Sequence, residues 1–285
     1  MIENKLALKK LSFSLVAFIL AMLAILGSLD ATGKSYTEDS FKRALITFGI
    51  ARGLNGVISV AQGTEIAVQP AGVGMNFTPG QILDPINDLV EQFSWIMLAS
   101  SASLGIQKVL LAISSTTMMT ILLIVVFSIY LVSVWRPDWF NPGMNKTVVS
   151  TAVIILFVRF SVPLVAIGSE GMYAYFLHDQ YVESSAQLAK TQREISKISS
   201  DDETLYGTTD DDSVLGMAKR FLDSPSITKA IGDRIEQYKQ LAADATEHAI
   251  NLIVVFVIQT IAFPLLFLWL LYRGAKAVWA GLVLS

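Results

Sequence analysis

Four stretches of this chain are as long as a bilayer is thick and carry at most one charge, and no other feature limits its folding so tightly. A helix needs about 20 mostly apolar residues to cross roughly 30 Å of hydrocarbon. Leu11–Leu29 supplies 19 charge-free residues, Val109–Trp135 supplies 27, and Ala249–Tyr272 supplies 24; Thr147–Ser169 supplies 23, interrupted only by Arg159. Lipid offers the backbone no hydrogen-bond partners, so each stretch must satisfy its own peptide groups as a helix. The expected fold is an all-α membrane protein, a four-span helical bundle.

Composition agrees. Of 285 residues, 53% are hydrophobic and 16% charged, against about 25% charged in soluble domains. The mean hydropathy is +0.55. An ordinary cytosolic enzyme is excluded on these grounds. Lys5, Lys9 and Lys10 precede the first apolar stretch as they would in a secretory signal. That stretch exceeds the 7–15 residues of a signal core, and Leu-Gly-Ser-Leu-Asp-Ala offers no clean small-x-small site, so it is expected to be retained as a span.

Lys and Arg in short loops stay on the cytoplasmic side. With both termini inside, residues 1–10, 136–146 and 273–285 are cytoplasmic and hold seven basic groups against two acidic ones. Residues 170–248 hold fifteen acidic groups against eight basic ones, which suits a translocated region. The expected order is cytoplasmic 1–10, span 11–29, extracytoplasmic 30–108, span 109–135, cytoplasmic 136–146, span 147–169, extracytoplasmic 170–248, span 249–272 and cytoplasmic 273–285. The membrane is expected to be the cell's inner, cytoplasmic membrane. Trp135, Trp139, Phe140 and Trp279 fall near the cytoplasmic boundary, where an aromatic belt belongs.

Both extracytoplasmic regions read as mostly helical. In the first, Ser35 with Glu38 forms a capping box. Phe41, Ala44, Leu45, Phe48, Leu54, Val57 and Ile58 then recur at helical spacing through Gly49, Gly53 and Gly56, which soften the helix. Residues 65–68 and 73–77 read as a small β-hairpin about Gln69-Pro70-Ala71-Gly72. Asp84-Pro85 begins another helix, an Asp cap followed by proline where no N–H is needed. Asp88 and Glu91 continue its acidic side; a cation site is conceivable there, but a solvated face is the simpler reading. From Pro85 to Trp135 there is no further proline and one glycine, Gly105, so helix is expected without a turn, and a fifth span before Val109 is not expected.

The second region predicts a helix over 181–199 and an acidic loop over 200–212, with Asp212-Ser213 capping a further helix. The loop lacks the Asp-x-Asp-x-Asp-Gly pattern of a calcium site. From Ile227 to Ile261 only Gly232 interrupts, and Ile231, Tyr238, Ala245 and Leu252 fall seven apart. This predicts a stalk whose coiled-coil-like seam packs on residues 181–199 or on a partner chain, with neither preferred.

Arg159 is the one ionisable residue near the middle of a span, at a cost of about 2.5–3.5 kcal/mol on insertion scales, so it must face protein or water. Pro163 frees a backbone carbonyl four residues back. Gln259 lies at comparable depth in the last span, and the two are expected to hydrogen-bond. Arg159 and Gln259 are thus the candidate site residues, structural or pore-lining, and no carboxylate is expected within a span to join them.

The rest of the chemistry is sparse. The chain has no cysteine, two histidines, a net charge of -3, and no Gly-rich phosphate loop, HExxH or Gly-x-Ser-x-Gly. No nucleic-acid partner is expected. No cofactor or metal is expected either: His178 with Asp179, and Glu247 with His248, fall at different heights and lack further ligands. No inverted repeat is visible and the spans show no matching interruptions, which speaks against a secondary transporter. What remains is a non-enzymatic structural or assembly subunit of a membrane complex, as a homo-oligomer or with other membrane subunits. The alternatives are an oligomeric channel or small-solute permeation subunit, and a sensor signalling through a partner.

Overall fold

In the computed structural model, the residues described are 2–63, 66–68, 75–77, 83–206 and 225–283. They are almost entirely helical: α1 (Ile2–Leu26), α2 (Ser28–Gly63), α3 (Asp84–Ser114), α4 (Thr117–Trp135), α5 (Pro142–Met172), α6 (His178–Tyr206), α7 (Pro225–Val257) and α8 (Phe263–Val283). A π turn over Tyr173–Leu177 joins α5 to α6, and another over Ile258–Ala262 joins α7 to α8. Ile66–Val68 (β1) pairs antiparallel with Met75–Phe77 (β2), Ile66 opposite Phe77. The intervening Gln69–Gly72 turn lies outside the described residues, as do Asp210–Asp212 and the helix expected after Ser213.

Five described helical runs are long and apolar enough to cross a membrane: Ser28–Gln62, Asp84–Ser114, Thr117–Trp135, Pro142–Ser200 and Gly232–Gly281, with Ser14–Leu26 a shorter apolar helix. These mark a membrane protein.

Local structure departs from expectation in four places. Ser35 and Glu38 form no capping box, because α2 starts at Ser28 and runs through them and on through Gly49, Gly53 and Gly56. The helix expected across residues 85–135 breaks at Ser115-Thr116. Thr116 has extended backbone angles and its hydroxyl accepts from Met119 N at 3.4 Å, so it caps α4; the threonine offers the backbone a local alternative to continuing the helix. The absence of a turn was the ground for expecting no span before Val109, and that ground is gone. Ser200 to Tyr206 is helix where a loop was expected. Finally, three of the apolar stretches are interrupted, by Gly27 in the first, by the break at 115–116 in the second and by the π turn in the fourth, while α5 runs unbroken through Pro163. The Asp84-Pro85 start of α3 is where the cap signal put it.

The chain forms two compact units: residues 1–42, 101–175 and 258–285, and residues 43–100 and 176–257. In the first, α1 packs on α4, α4 on α5, and α5 on α8. Ala17 and Ala24 of α1 sit against Leu123, Phe127 and Tyr130 of α4 and Ala152 and Phe160 of α5, all buried. Small residues on α1 let it approach closely, which is how helices associate where lipid is as apolar as the side chains. Trp135 Nε1 donates to Ser14 Oγ at 3.1 Å and Trp279 Nε1 to Ser150 Oγ at 2.8 Å, so both indoles are tied at one end of these helices.

In the second unit α6 packs on α7. Tyr181 meets Phe256 edge-on at 6.0 Å, and Ser184 lies 3.4 Å from His248. Glu194 and Lys197 share a groove with Gln237 and Leu241, so the pair is antiparallel. Ser184, Leu188, Thr191 and Ile195 on α6 and Tyr238, Leu241, Ala245 and Leu252 on α7 are all buried, at spacings of three, four or seven. The seam left open between a partner chain and residues 181–199 is thus occupied within the chain. Leu54, Ile58, Leu83, Val90, Phe93 and Met97 complete this unit's core, and Gln62 Nε2 donates to Asp84 Oδ1 at 2.7 Å.

Candidate functional site

Gly27 is where the site begins. It has φ +63°, a conformation in which other L-residues are strained, and its N–H bonds to Leu23 O at 3.2 Å. This is the left-handed close of α1. Gly27 O then accepts from Ala31 N at 2.9 Å, so the same residue opens α2. One glycine therefore separates the carbonyl end of one helix from the amide end of the next.

Asp30 lies in the first turn of α2. Arg159 reaches it from α5: Nη1 donates to Oδ1 at 2.7 Å and Nη2 to Oδ2 at 2.5 Å. Nη2 also donates to Ala24 O, in the last turn of α1, at 3.3 Å. The physics of helix ends accounts for this arrangement. The amide end of α2 favours the carboxylate, and the carbonyl end of α1, with orphan acceptors, favours the guanidinium. The two charges neutralise one another across a planar two-bond fork that lysine could not make. Arg159 is 2% exposed, and its Nε has no hydrogen-bond partner among the described residues.

This corrects two expectations. Arg159 does not bond to Gln259, and a carboxylate does meet it. Asp30 was passed over because it ends a charge-free stretch and so reads as a boundary residue.

Two further contacts repeat the pairing of α2 with α5. A Cβ on Gly33 would lie 3.4 Å from Pro163 Cα, and Ser40 Oγ donates to Glu170 Oε2 at 3.2 Å. The pairs 30 with 159, 33 with 163 and 40 with 170 keep a near-constant offset, so these stretches run parallel. Pro163 leaves Arg159 O without its usual helical donor, and α2 can approach there because residue 33 has no side chain. On its other side α2 runs antiparallel to α3: Gly33 meets Leu111, Glu38 forms an ion pair with Lys108, and Gly105 faces Phe41.

Gln259 belongs to this second contact. It is buried in the π turn, and Nε2 donates to Ser40 Oγ at 3.2 Å. Gln259, Ser40 and Glu170 thus form a hydrogen-bonded series. Beside it Ser103 Oγ donates to Thr260 O at 3.3 Å. Pro264, four residues after Thr260, has no N–H to return to that carbonyl, which explains why the helix loosens there and a hydroxyl is welcome. Ser169 Oγ is buried nearby on α5 with no hydrogen-bond partner among the described residues.

Both candidate residues are therefore buried within one unit, about eleven residues of α5 apart in level, or roughly 16 Å at 1.5 Å per residue. They are not brought together. Asp88 and Glu91 are exposed, and His178 with Asp179 is likewise on the surface. Among the described residues no three His, Cys, Asp or Glu side chains are grouped so as to hold a metal. The arrangement holds buried polar groups at helix interruptions. No protein-family model, curated protein or solved structure matches the chain.

Proposed function

We propose that this chain is a non-enzymatic structural or assembly subunit of a membrane complex, crossing the cytoplasmic membrane four times with both termini inside. The spans are α1, α4, and the apolar parts of α5 and of the α7–α8 run; α1 packs on α4, α4 on α5 and α5 on α8 in the first unit, as a bundle of spans requires. Helices α2 and α3 are apolar enough to be counted too, but beyond Asp30, which Arg159 pairs, α2 carries Lys34, Glu38, Asp39, Lys42 and Arg43, and α3 opens with Asp84, Asp88 and Glu91. Such charges belong at or beyond the interface.

One observation carries the assembly reading. Leu45, Ile46, Val60, Trp95 and Leu98 remain exposed on α2 and α3 in the second unit, Trp95 at 64%. In the four-span arrangement these side chains lie on the far side of the membrane. Exposed apolar side chains of this kind on an extracytoplasmic region suit an interaction site. Its cover is a second copy or another membrane subunit.

The test is the mass of the detergent-extracted protein. An assembly larger than one 31.1 kDa chain, reduced to the monomer by Trp95→Glu with helix content unchanged, supports the reading. A monodisperse monomer that captures nothing in its native membrane refutes it.

A permeation subunit is the second reading, favoured by the interruption of three of the four apolar stretches. Broken helices are how many transporters present backbone and charge at membrane depth. Arg159 itself is engaged with Asp30 and buried, which leaves it unavailable to line a pore. Conductance or solute flux in reconstituted bilayers would favour this reading over the first.

A further inference from the structure

A groove runs between α5 and α8 in the first unit. Two cavities of about 270 and 500 Å³ lie along it and share Val153, Phe157 and Ala275. Leu156, Leu164 and Leu271 add to the apolar walls, and Gly274 and Ala275 keep the α8 side shallow. From Ser150 to Leu164 the groove follows α5 for about 21 Å at 1.5 Å per residue, somewhat more than the depth of one leaflet of hydrocarbon.

One end is different. Lys276 and Trp279 line it, Trp279 is fixed by its bond to Ser150 at 2.8 Å, and Lys146 Nζ lies 5.8 Å from the Trp279 ring centroid. Arg273 stacks on Trp269 at 4.8 Å, adding a third cation on the same stretch of α8. No acidic side chain lines either cavity among the described residues. The groove therefore offers apolar contact along its length, then two ammonium groups and an indole at its mouth. A molecule matching that order has a hydrocarbon chain ending in a phosphate.

We propose that this groove is a binding site for an anionic phospholipid of the cytoplasmic leaflet, one acyl chain lying against Val153, Phe157 and Ala275 and the phosphodiester between Lys146 and Lys276. Basic pockets between spans at the cytoplasmic side are where anionic headgroups are held, and Lys276 keeps its stem on apolar wall while its charge reaches the interface. The leaflet rests on the four-span reading; binding in detergent does not, so the two fail separately.

The experiment is a lipid titration of the full-length protein in neutral detergent, read by native mass spectrometry, with phosphatidylglycerol and phosphatidylcholine of identical chains. Phosphatidylglycerol should be retained at least ten-fold more tightly. Lys146→Gln with Lys276→Gln should bring it down to the phosphatidylcholine level, and Ala275→Phe should weaken both by ten-fold or more. Helix content and thermal midpoint confirm that each variant is folded. Equal retention of the two lipids by the unaltered protein would overturn the proposal, as would a preference that survives the double substitution. Soluble glycerophosphoglycerol binding as tightly as the lipid would make this a plain anion site and overturn it. A co-purifying protein displaced by Ala275→Phe with no lipid bound would assign the groove to a partner helix instead.

Discussion

Arg159 and Asp30, 129 residues apart in sequence, share two hydrogen bonds at 2.7 and 2.5 Å and close the break between α1 and α2. Each charge meets the helix end it suits, and neither retains an exposed face to water.

Such a pair is a poor source of net stability but a costly one to halve, because the remaining charge stays buried and unpaired. Arg159→Leu and Asp30→Asn should each lower stability by about 3–5 kcal/mol while membrane insertion proceeds. The double variant Asp30→Leu/Arg159→Leu should lose much less than the two single losses combined. Unfolding in mixed micelles measures this; additive losses would show that the two residues act independently.

The two glycines Gly33 and Gly49 separate packing from propensity. Gly33→Val puts a branched side chain against Pro163 Cα and Leu111, where a Cβ already has only 3.4 Å, and should cost about 1–3 kcal/mol as overpacking does. Nothing lies within 4 Å of a Cβ on Gly49, so Gly49→Ala should stabilise α2 by up to about 1 kcal/mol. Thermal midpoints of the two variants should move in opposite directions.

Lys108 lies against Glu38 and, by hydrogen bonding first and by its charge second, holds the Glu38 carboxyl below its ordinary value of 4.5. Both residues lie outside the four proposed spans. A lowered carboxylate pKa means that the unfolded chain takes up its proton first as pH falls, so this pair's contribution is complete above pH 4.5 and disappears below it. Glu38 is well exposed, so the effect is small and weakens with salt. Lys108→Met should be less stable than the unaltered protein at pH 7, and the difference should vanish at pH 3. A difference independent of pH would assign the Lys108 effect to its packing over Phe41.

The α6–α7 seam carries the second unit. Leu188 is fully buried on α6, which packs on α7, and Leu188→Ala should cost about 2–5 kcal/mol, the range for a core cavity. Urea-induced loss of helix signal in the presence of detergent is the measurement. No change would mean that a partner, and not α7, covers this face.

Sequence reasoning reached what periodicity and charge encode. The apolar stretches, the Asp84-Pro85 start, the buried position of Arg159 and the buried face of α7 are all readable from local pattern. It missed what depends on distant partners. Asp30 looked like the edge of a span because its only explanation is an arginine on another helix. Gln259 is matched to Arg159 by counting residues in from each boundary, but the two lie about eleven residues of α5 apart in level, and Ser40 is the residue that meets Gln259. Thr116 gave a real but weak signal: it sits in an apolar run where a hydroxyl that caps and a hydroxyl that faces lipid read alike. Pro264 was the overlooked clue to the π turn, since the carbonyl it orphans lies one residue past Gln259.

Cysteine accessibility tests the four-span arrangement most directly, because the chain has no cysteine of its own. Single cysteines at Ser59, Gln187, Asn145 and Gly281 would be exposed to a membrane-impermeant maleimide in sealed, right-side-out vesicles. The account predicts that residues 59 and 187 label at once and that 145 and 281 label only after permeabilisation. Labelling of 59 or 187 together with 281 from the same side would contradict it.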